Sequence, residues 1–363
     1  MIKLFFPVWA LLMVCPLAQL EAVPPPPGSP QVDFPVCRTN RVALNSNVQR
    51  LKSAPFFSSL STKTTAYVIV VRVDFSDKSM SNSRADAEAF MEKVKNFYLE
   101  NSYDLLYVSA TVTTRTSGGS AGSLGAYRMS KSLATYAQGI CSNYSDIAKD
   151  ALSAASTDYN LSTGAPGGNA FHHIMVYHAG IGAETAGDSG CQTNNFWSVY
   201  APTVAASAAN TEGVQVPFQY NALGSAVTTY FNGVTIVPES EDQNIDPLGV
   251  ICHEYGHQLG LPDLYKTSAQ SVVGEWSLMD GGIYIGTPLG SNPAHLDAWS
   301  KKFLGFSSPR TISPSPVGTY VSLGYALTGN TAFLRIPVGS SSSEYCQGFR
   351  NISGVLEVDS WTF

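Results

Sequence analysis

The chain has 363 residues, of which 44% are hydrophobic and 13% are charged, and its formal net charge at pH 7 is −6. This balance gives no basic patch for nucleic acid and no polybasic run for anionic lipid. The many Ser, Thr, Gly and Asn residues indicate a polar, uncharged surface instead.

The first 22 residues have the three parts of a secretory signal peptide. Lys3 is followed by an apolar run through Leu17, and small residues stand at Ala18 and Ala22. The run is too short to span a membrane, and no other apolar stretch has spanning length. We therefore expect residues 1–22 to be removed and the protein to be secreted to the extracellular space. The alternative is an N-terminal anchor that stays uncleaved.

A proline-rich leader or propeptide is expected over residues 23–62, because the prolines at 24–27 form a stiff, extended spacer. Cys37 lies in this leader. The preferred prediction is a disulfide between Cys37 and Cys346. The alternative is that the Cys37 thiolate binds a metal ion and keeps the protein inactive.

Five of the six cysteines follow the signal peptide, in a chain that we expect to reach a compartment where disulfides persist. Cys141 and Cys191 are the expected pair. Cys252 is expected to be a buried, small apolar residue.

Strands and helices are expected to alternate between residues 67 and 178. Residues 67–75 are β-branched and aromatic, which is typical of a strand buried on both faces. An amphipathic helix, a strand over residues 107–113 and a second helix over residues 147–155 follow. Residues 171–178 form the next expected central strand.

Three polar side chains near strand ends are tentative site residues. The strand over residues 171–178 delivers His178 to a glycine-rich loop that contains Glu184, and such loops often carry function. Glu239 ends a short strand in which Pro238 marks an edge or a terminus, where an extended peptide substrate could pair. Each of the three side chains could orient the site, bind a structural calcium ion or hydrogen-bond a loop.

A metal-binding motif occupies residues 249–263. His253 and His257 are four residues apart, so on a helix both imidazoles can bind the same ion. Neutral imidazole suits zinc, and a catalytic zinc site keeps one position open for the attacking water. Glu254 can reach this water as a general base. We therefore predict one catalytic Zn²⁺ ion.

Asp263 is the expected third ligand. Gly260 supplies the left-handed conformation that a chain leaving the helix needs, and the chain then returns towards the ion. The pattern H-E-x-x-H-x-x-G-x-x-D is that of metzincins with Asp in place of His, and Met279 lies in a candidate Met-turn, residues 276–282. The alternative is Glu275, as in gluzincins, but its neighbours form a turn without helical period.

The zinc motif and several other segments resemble the immune inhibitor A family of secreted metallopeptidases. The resemblance covers about residues 65–310 and is carried by residues 68–77, 101–103, 178–184, 253–263, 276–279 and 293–301. It implies a zinc endopeptidase of metzincin type, with zinc on His253, His257 and Asp263. It also implies that Glu254 is the base and that Met279 forms an apolar floor beneath the metal.

Tyr284 stands near a position where that family often has tryptophan, and a corresponding role would be to steady the oxyanion. The family also continues into a longer β region than this chain does. The change of character at Cys346 therefore indicates either a naturally shortened member or an end that is not the authentic continuation.

These features predict an α/β fold with a metzincin-like zinc-peptidase domain over residues 63–310. A mixed, twisted sheet is expected to be packed by helices that include the zinc helix, followed by a short β-rich segment over residues 311–363. The predicted function is that of a secreted, monomeric zinc endopeptidase acting on proteins or peptides, with no nucleic-acid partner and no membrane span. The alternative is a secreted, degenerate homologue that acts as a non-catalytic binding protein.

Overall fold

The computed structural model describes residues 63–137, 144–161, 163–186, 194–201, 234–241, 245–265, 271 and 273–311, with the backbone of several short strands outside these ranges. Cys37, Cys141 and Cys191 lie outside the described residues, and so does the whole expected leader, residues 23–62.

Strands and helices alternate in the order that the sequence predicts. The strands are β1 (Glu21–Ala22), β2 (Thr64–Asp74), β3 (Leu106–Val112), β4 (Ser120–Ala121), β5 (Tyr127–Arg128), β6 (His173–Ile181), β7 (Val199–Ala201), β8 (Val216–Gln219), β9 (Thr228–Phe231), β10 (Val234–Ser240), β11 (Arg310–Thr311), β12 (Phe333–Pro337), β13 (Glu344–Ile352) and β14 (Val355–Thr362). The helices are α1 (Arg84–Asn101), α2 (Leu133–Ala137), α3 (Tyr144–Ala155), α4 (Ala183–Ala186), α5 (Leu248–Gln258) and α6 (Ala298–Phe303).

The main sheet is mixed, as predicted. Its strand order is β1-β7-β10-β6-β2-β5-β4, and β3 pairs with the first half of β2. The central strands β2, β6 and β10 run parallel, whereas β7 runs antiparallel to β10 and β1 runs antiparallel to β7. The two residues of β1 are the last two of the expected signal peptide.

The expected edge position of residues 233–239 is wrong for the first half of the strand. Residues 234–236 pair with β7 on one side and with β6 on the other. Pro238 lies beyond the last pair with β7. Its missing N–H therefore costs no hydrogen bond to that strand. The sheet edge on this side belongs to β7, which β1 partly covers.

Helix α1 contacts both strand β3 of the main sheet and helix α5, which carries the zinc motif. It begins with a capping box in which Ser83 and Asp86 satisfy each other's backbone N–H groups. Farther along, the Tyr98 hydroxyl donates to the Cys252 carbonyl at 2.5 Å, and the Tyr98 and Tyr255 rings lie 5.2 Å apart. Cys252 is buried and free, as predicted.

All 11 residues of helix α5 are buried, although four of them are polar or charged. A helix buried on every side belongs to the core of a domain, so the zinc motif lies in the interior. None of the helices in the described ranges has the length and apolar character needed to cross a membrane.

Strands β11 to β14 form a separate four-stranded sheet, and β8 pairs with β9. Strands β12, β13 and β14 lie within the β-rich segment expected over residues 311–363. The domain boundary near residue 311 stays a prediction.

Candidate active site

A tight reversal of the chain ends helix α5, as the sequence predicts. Gly260 has φ of +103°, in the region that favours glycine. Its N–H donates to the His257 carbonyl at 2.8 Å. The N–H of Leu261 donates to the Gly256 carbonyl at 3.1 Å, which completes a Schellman motif. The reversal brings Asp263 back to the histidines.

The two imidazoles and the Asp263 carboxylate converge on one point. The Nε2 atoms of His253 and His257 are 3.0 Å apart. Asp263 Oδ1 lies 3.2 Å from the first Nε2 and 3.1 Å from the second. Atoms bound to one tetrahedral zinc ion at 2.0–2.1 Å lie about 3.3 Å from one another. The three atoms therefore form a triangle of nearly the size that zinc requires.

Backbone carbonyls fix the tautomer of both histidines. His253 Nδ1 is 2.8 Å from the Leu278 carbonyl, and His257 Nδ1 is 2.7 Å from the Leu261 carbonyl. Because a carbonyl oxygen can only accept, each Nδ1 carries the hydrogen, and each neutral ring turns an Nε2 lone pair towards the other. Two lone pairs and a carboxylate oxygen this close repel one another without a cation. The donor set therefore fits a metal ion.

The electrostatics of the triangle favour the metal-binding protonation states. Burial and the neighbouring His257 lower the pKa of His253. Burial alone would raise the pKa of Asp263, but the charge of a protonated His257 and hydrogen bonds from both imidazoles outweigh it and hold that pKa below its ordinary value. A metal cation in place of that proton acts in the same direction. Neutral imidazole and ionised carboxylate are the forms that bind zinc.

Glu254 and Met279 both lie close to the helix face that carries the histidine pair. The Glu254 side chain is fully buried, and one carboxylate oxygen lies within 4.8 Å of the ring nitrogens of His253 and His257. A Cβ built on Gly256 would meet Met279 Sδ at 2.8 Å, so the methionine packs directly against the helix face that carries the histidines. Glycine at this position leaves the room that Met279 occupies.

Two tyrosines flank the histidine pair, and the sequence analysis missed both. The Tyr200 ring stacks on His257 at 6.5 Å between centroids, and the Tyr265 ring stacks on His253 at 6.2 Å. The closeness of Tyr265 to Asp263 in the sequence is a signal that could have been used. Nothing in the sequence connects Tyr200, on strand β7, with the zinc motif.

Glu239 anchors loops in this structure. Its carboxylate accepts the backbone N–H groups of Ser81, Asn82 and Gly180 at 2.7–3.1 Å. A carboxylate with this many donors has its position fixed by the backbone around it.

His178 lies inside strand β6, because the strand continues to Ile181 and does not end before the glycine-rich loop. The His178 ring is fully buried and packs against Phe75 and Phe196 at 6.4 and 5.2 Å between centroids. Burial lowers its pKa to about 4, so the ring is neutral at pH 7.

Glu184 forms a buried carboxyl pair with Glu241, which the sequence analysis did not single out. Glu184 Oε2 accepts the Ser198 N–H at 3.1 Å. Glu241 Oε2 accepts the Gly182 N–H at 3.2 Å and the Thr185 hydroxyl at 2.5 Å. Burial raises the pKa of Glu184, and burial together with Glu184 raises the pKa of Glu241.

Tyr284 lies close to this pair and to the candidate base. Burial, followed by the carboxyl groups of Glu184, Glu241 and Glu254, raises the pKa of Tyr284 well above its ordinary value. The phenol therefore keeps its hydrogen at neutral pH. Of the four tentative residues, the structure brings Tyr284 and Glu184 towards Glu254.

The alternative third ligand, Glu275, is exposed in the single 3₁₀ turn Gly274–Trp276. It lies on no second α-helix, whereas the Asp263 carboxylate lies 3.1–3.2 Å from the two Nε2 atoms. The geometry therefore does not favour the gluzincin arrangement.

Residues 154–308 match the family model described as immune inhibitor A peptidase M6, catalytic domain. This segment is similar to the catalytic domain of M6 peptidases and is called the M6 segment below. The M6 segment contains the zinc motif, the Met-turn and Tyr284. The earlier segments quoted for the resemblance, residues 68–77 and 101–103, lie before the matched region.

The chain is also similar to two curated proteins. The chain is 35% identical over 134 residues to Immune inhibitor A of Bacillus thuringiensis subsp. alesti, covering 36% of this chain and 18% of the relative. It is 33% identical over 136 residues to the pre-pro-metalloprotease PrtV of Vibrio cholerae, covering 36% of this chain and 14% of the relative. The similarity therefore spans less than a fifth of either relative.

Proposed function

We propose that this protein is a secreted zinc endopeptidase that hydrolyses peptide bonds in proteins. The observation that carries the proposal is the triangle of two Nε2 atoms and Asp263 Oδ1, with sides of 3.0–3.2 Å, beside the buried Glu254. The M6 match and the name of the Vibrio relative support a metallopeptidase. The proposed substrates are proteins or peptides, with no nucleic-acid partner. The protein itself is expected to be a monomer.

The residues around the triangle have distinct proposed roles. A zinc ion held by His253, His257 and Asp263 would act as a Lewis acid towards water and towards the scissile carbonyl. Glu254 accepts a proton from the attacking water and later gives it to the leaving amine. The burial of Glu254 keeps bulk water from competing for that proton. Tyr284 is the candidate donor to the developing oxyanion.

A secreted, non-catalytic binding protein is the alternative function. A structural zinc site is closed by four protein ligands and needs no base. Three protein atoms converge in this site, and Glu254 stands beside them. The arrangement therefore favours the enzyme.

Removal of the metal tests the proposed function. Dialysis against a chelator should abolish casein hydrolysis, and addition of one equivalent of zinc should restore it, because the attacking water needs the Lewis acid. Zinc content is measured on the same samples. Casein hydrolysis that continues at full rate in protein shown to be free of metal would refute the proposal.

For the structural calcium ion that the sequence leaves open as one role of Glu184, we propose the Glu184–Glu241 pair as the site. The Oε1 atoms of both carboxyl groups are buried without a hydrogen-bond partner, and calcium binds carboxylate oxygens. Calcium added to the zinc-loaded protein should therefore raise the Tm, and Glu241→Gln should lose most of the increase. Glu239→Gln is the matched control and should keep it. An equal increase in Glu241→Gln and the wild type would contradict the assignment.

A further inference from the structure

The Met-turn contacts the proposed zinc ligands through its backbone as well as through Met279. The Leu278 carbonyl accepts the Nδ1 hydrogen of His253 at 2.8 Å. The next carbonyl, of Met279, accepts the N–H of Leu264 at 2.8 Å, directly after Asp263. Two successive peptide groups thus fix one ligand ring and the backbone beside a second ligand.

Ser277 holds these two peptide groups in place. Its hydroxyl donates to Asp297 Oδ2 at 2.8 Å and accepts the N–H of Met279 at 3.1 Å. Ser277 is fully buried, and Asp297 is 6% exposed. A parallel bond runs from the Leu278 N–H to the His295 carbonyl at 3.2 Å. The Met-turn is therefore docked onto the segment that precedes helix α6.

Other hydrogen bonds, besides the one from Ser277, fix the position of the Asp297 side chain. It caps helix α6, where Oδ1 accepts the N–H of Ser300 at 3.0 Å and Oδ2 accepts the Ser300 hydroxyl at 2.7 Å. The neighbouring Leu296 N–H donates to Asn101 Oδ1 at 2.8 Å, at the end of helix α1. The carboxylate therefore presents a rigid acceptor to the Met-turn.

We propose that Ser277, held by Asp297, is a positioning residue for the zinc site. Its hydroxyl accepts the N–H of the peptide group whose carbonyl orients His253. Its backbone carbonyl accepts the Asp280 N–H at 3.1 Å in the next peptide group, whose carbonyl binds the N–H of Leu264 beside Asp263. Loss of a partner in the outer shell of a metal site typically lowers metal affinity by about 10–100-fold. This inference rests on the proposed function, because it concerns the same metal site.

The chain offers a matched control for this proposal. Ser300 is as fully buried as Ser277, and its hydroxyl donates to the same Oδ2 atom of Asp297. Its side-chain bond stays within the N-terminal cap of helix α6. The variants Ser277→Ala and Ser300→Ala therefore remove the same group from the same acceptor, and only the first loosens the Met-turn.

We expect Ser277→Ala to lower zinc affinity by about 10–100-fold, and kcat to fall more than KM rises. Ser300→Ala should keep wild-type zinc affinity, although its Tm should fall by about as much as that of Ser277→Ala. Zinc affinity is measured by competition with a chromophoric chelator, independently of hydrolysis. Ser277→Thr keeps the hydroxyl and should restore affinity.

Equal zinc affinity in Ser277→Ala and Ser300→Ala would overturn the inference. If Ser277→Ala shows no cooperative melting, Asp297→Asn takes its place, since it keeps the size of the side chain but leaves one acceptor oxygen for two serines. Unchanged zinc affinity in a folded Asp297→Asn would also overturn it. A wild-type protein that binds no zinc would instead refute the proposed function.

Discussion

Replacement of Glu254 by Gln is expected to abolish casein hydrolysis while zinc stays bound. Gln has nearly the same size but cannot accept the proton of the attacking water, and loss of a general base costs about 10²–10⁴-fold in rate. The side chain is fully buried beside the histidines, and no ligand atom of the triangle is changed. Hydrolysis and zinc content are measured on the same preparation.

The exposed Glu275 provides the control for this variant. Glu275→Gln makes the same chemical change within the M6 segment, on a side chain that has no place in the triangle. It should hydrolyse casein at the wild-type rate. Unchanged hydrolysis in Glu254→Gln, or an equal loss in both variants, would remove the reason for assigning the base to Glu254.

Replacement of Asp263 by Ala is expected to have the largest effect on metal binding. It removes one of three atoms that converge at 3.0–3.2 Å and leaves the two imidazoles as the only protein ligands. Zinc affinity should fall by more than the roughly 10–100-fold that an outer-shell partner contributes. Asp263→Asn keeps an oxygen without the charge and should bind zinc with intermediate affinity.

Competition with a chromophoric chelator measures this series, and hydrolysis should fall in the same order. Zinc affinity in Asp263→Ala equal to that of the wild type would show that the third ligand is another group. The same result would make Glu275 a candidate third zinc ligand again, although the geometry does not favour it.

The zinc triangle could be predicted from the sequence because it is local. His253 and His257 share one helix face, and Gly260 reverses the chain, so that 11 consecutive residues, 253–263, contain all three ligands. Helix periodicity and one glycine are sufficient to specify such a site. Burial of Cys252 followed from the same helix.

Contacts between distant segments could not be predicted in this way. The bond between Ser277 and Asp297, the stacking of Tyr200 on His257 and the Glu184–Glu241 pair depend on how the Met-turn, strand β7 and helix α5 pack. No spacing in the sequence encodes these distances. The tentative site residues could therefore be identified only from residue type and position, because their contact partners lie in distant segments.

Two local features also differ from expectation for physical reasons. Strand β7 has three residues, which is too short for an alternating pattern, so its pairing with β10 could not be foreseen. Strand β6 runs past His178 through three more residues, 179–181, because the Glu239 carboxylate binds the N–H of Gly180 at 3.1 Å. That bond keeps a glycine-containing stretch extended where a loop was expected.

The most direct test of this account is the position of the metal in a crystal of the zinc-loaded protein, measured by anomalous scattering at the zinc edge. The account predicts one peak within about 2.0–2.2 Å of the Nε2 atoms of His253 and His257 and of Asp263 Oδ1, with Glu254 outside the coordination shell. A peak that lacks any of these three atoms, or no peak between the two histidines, would contradict it.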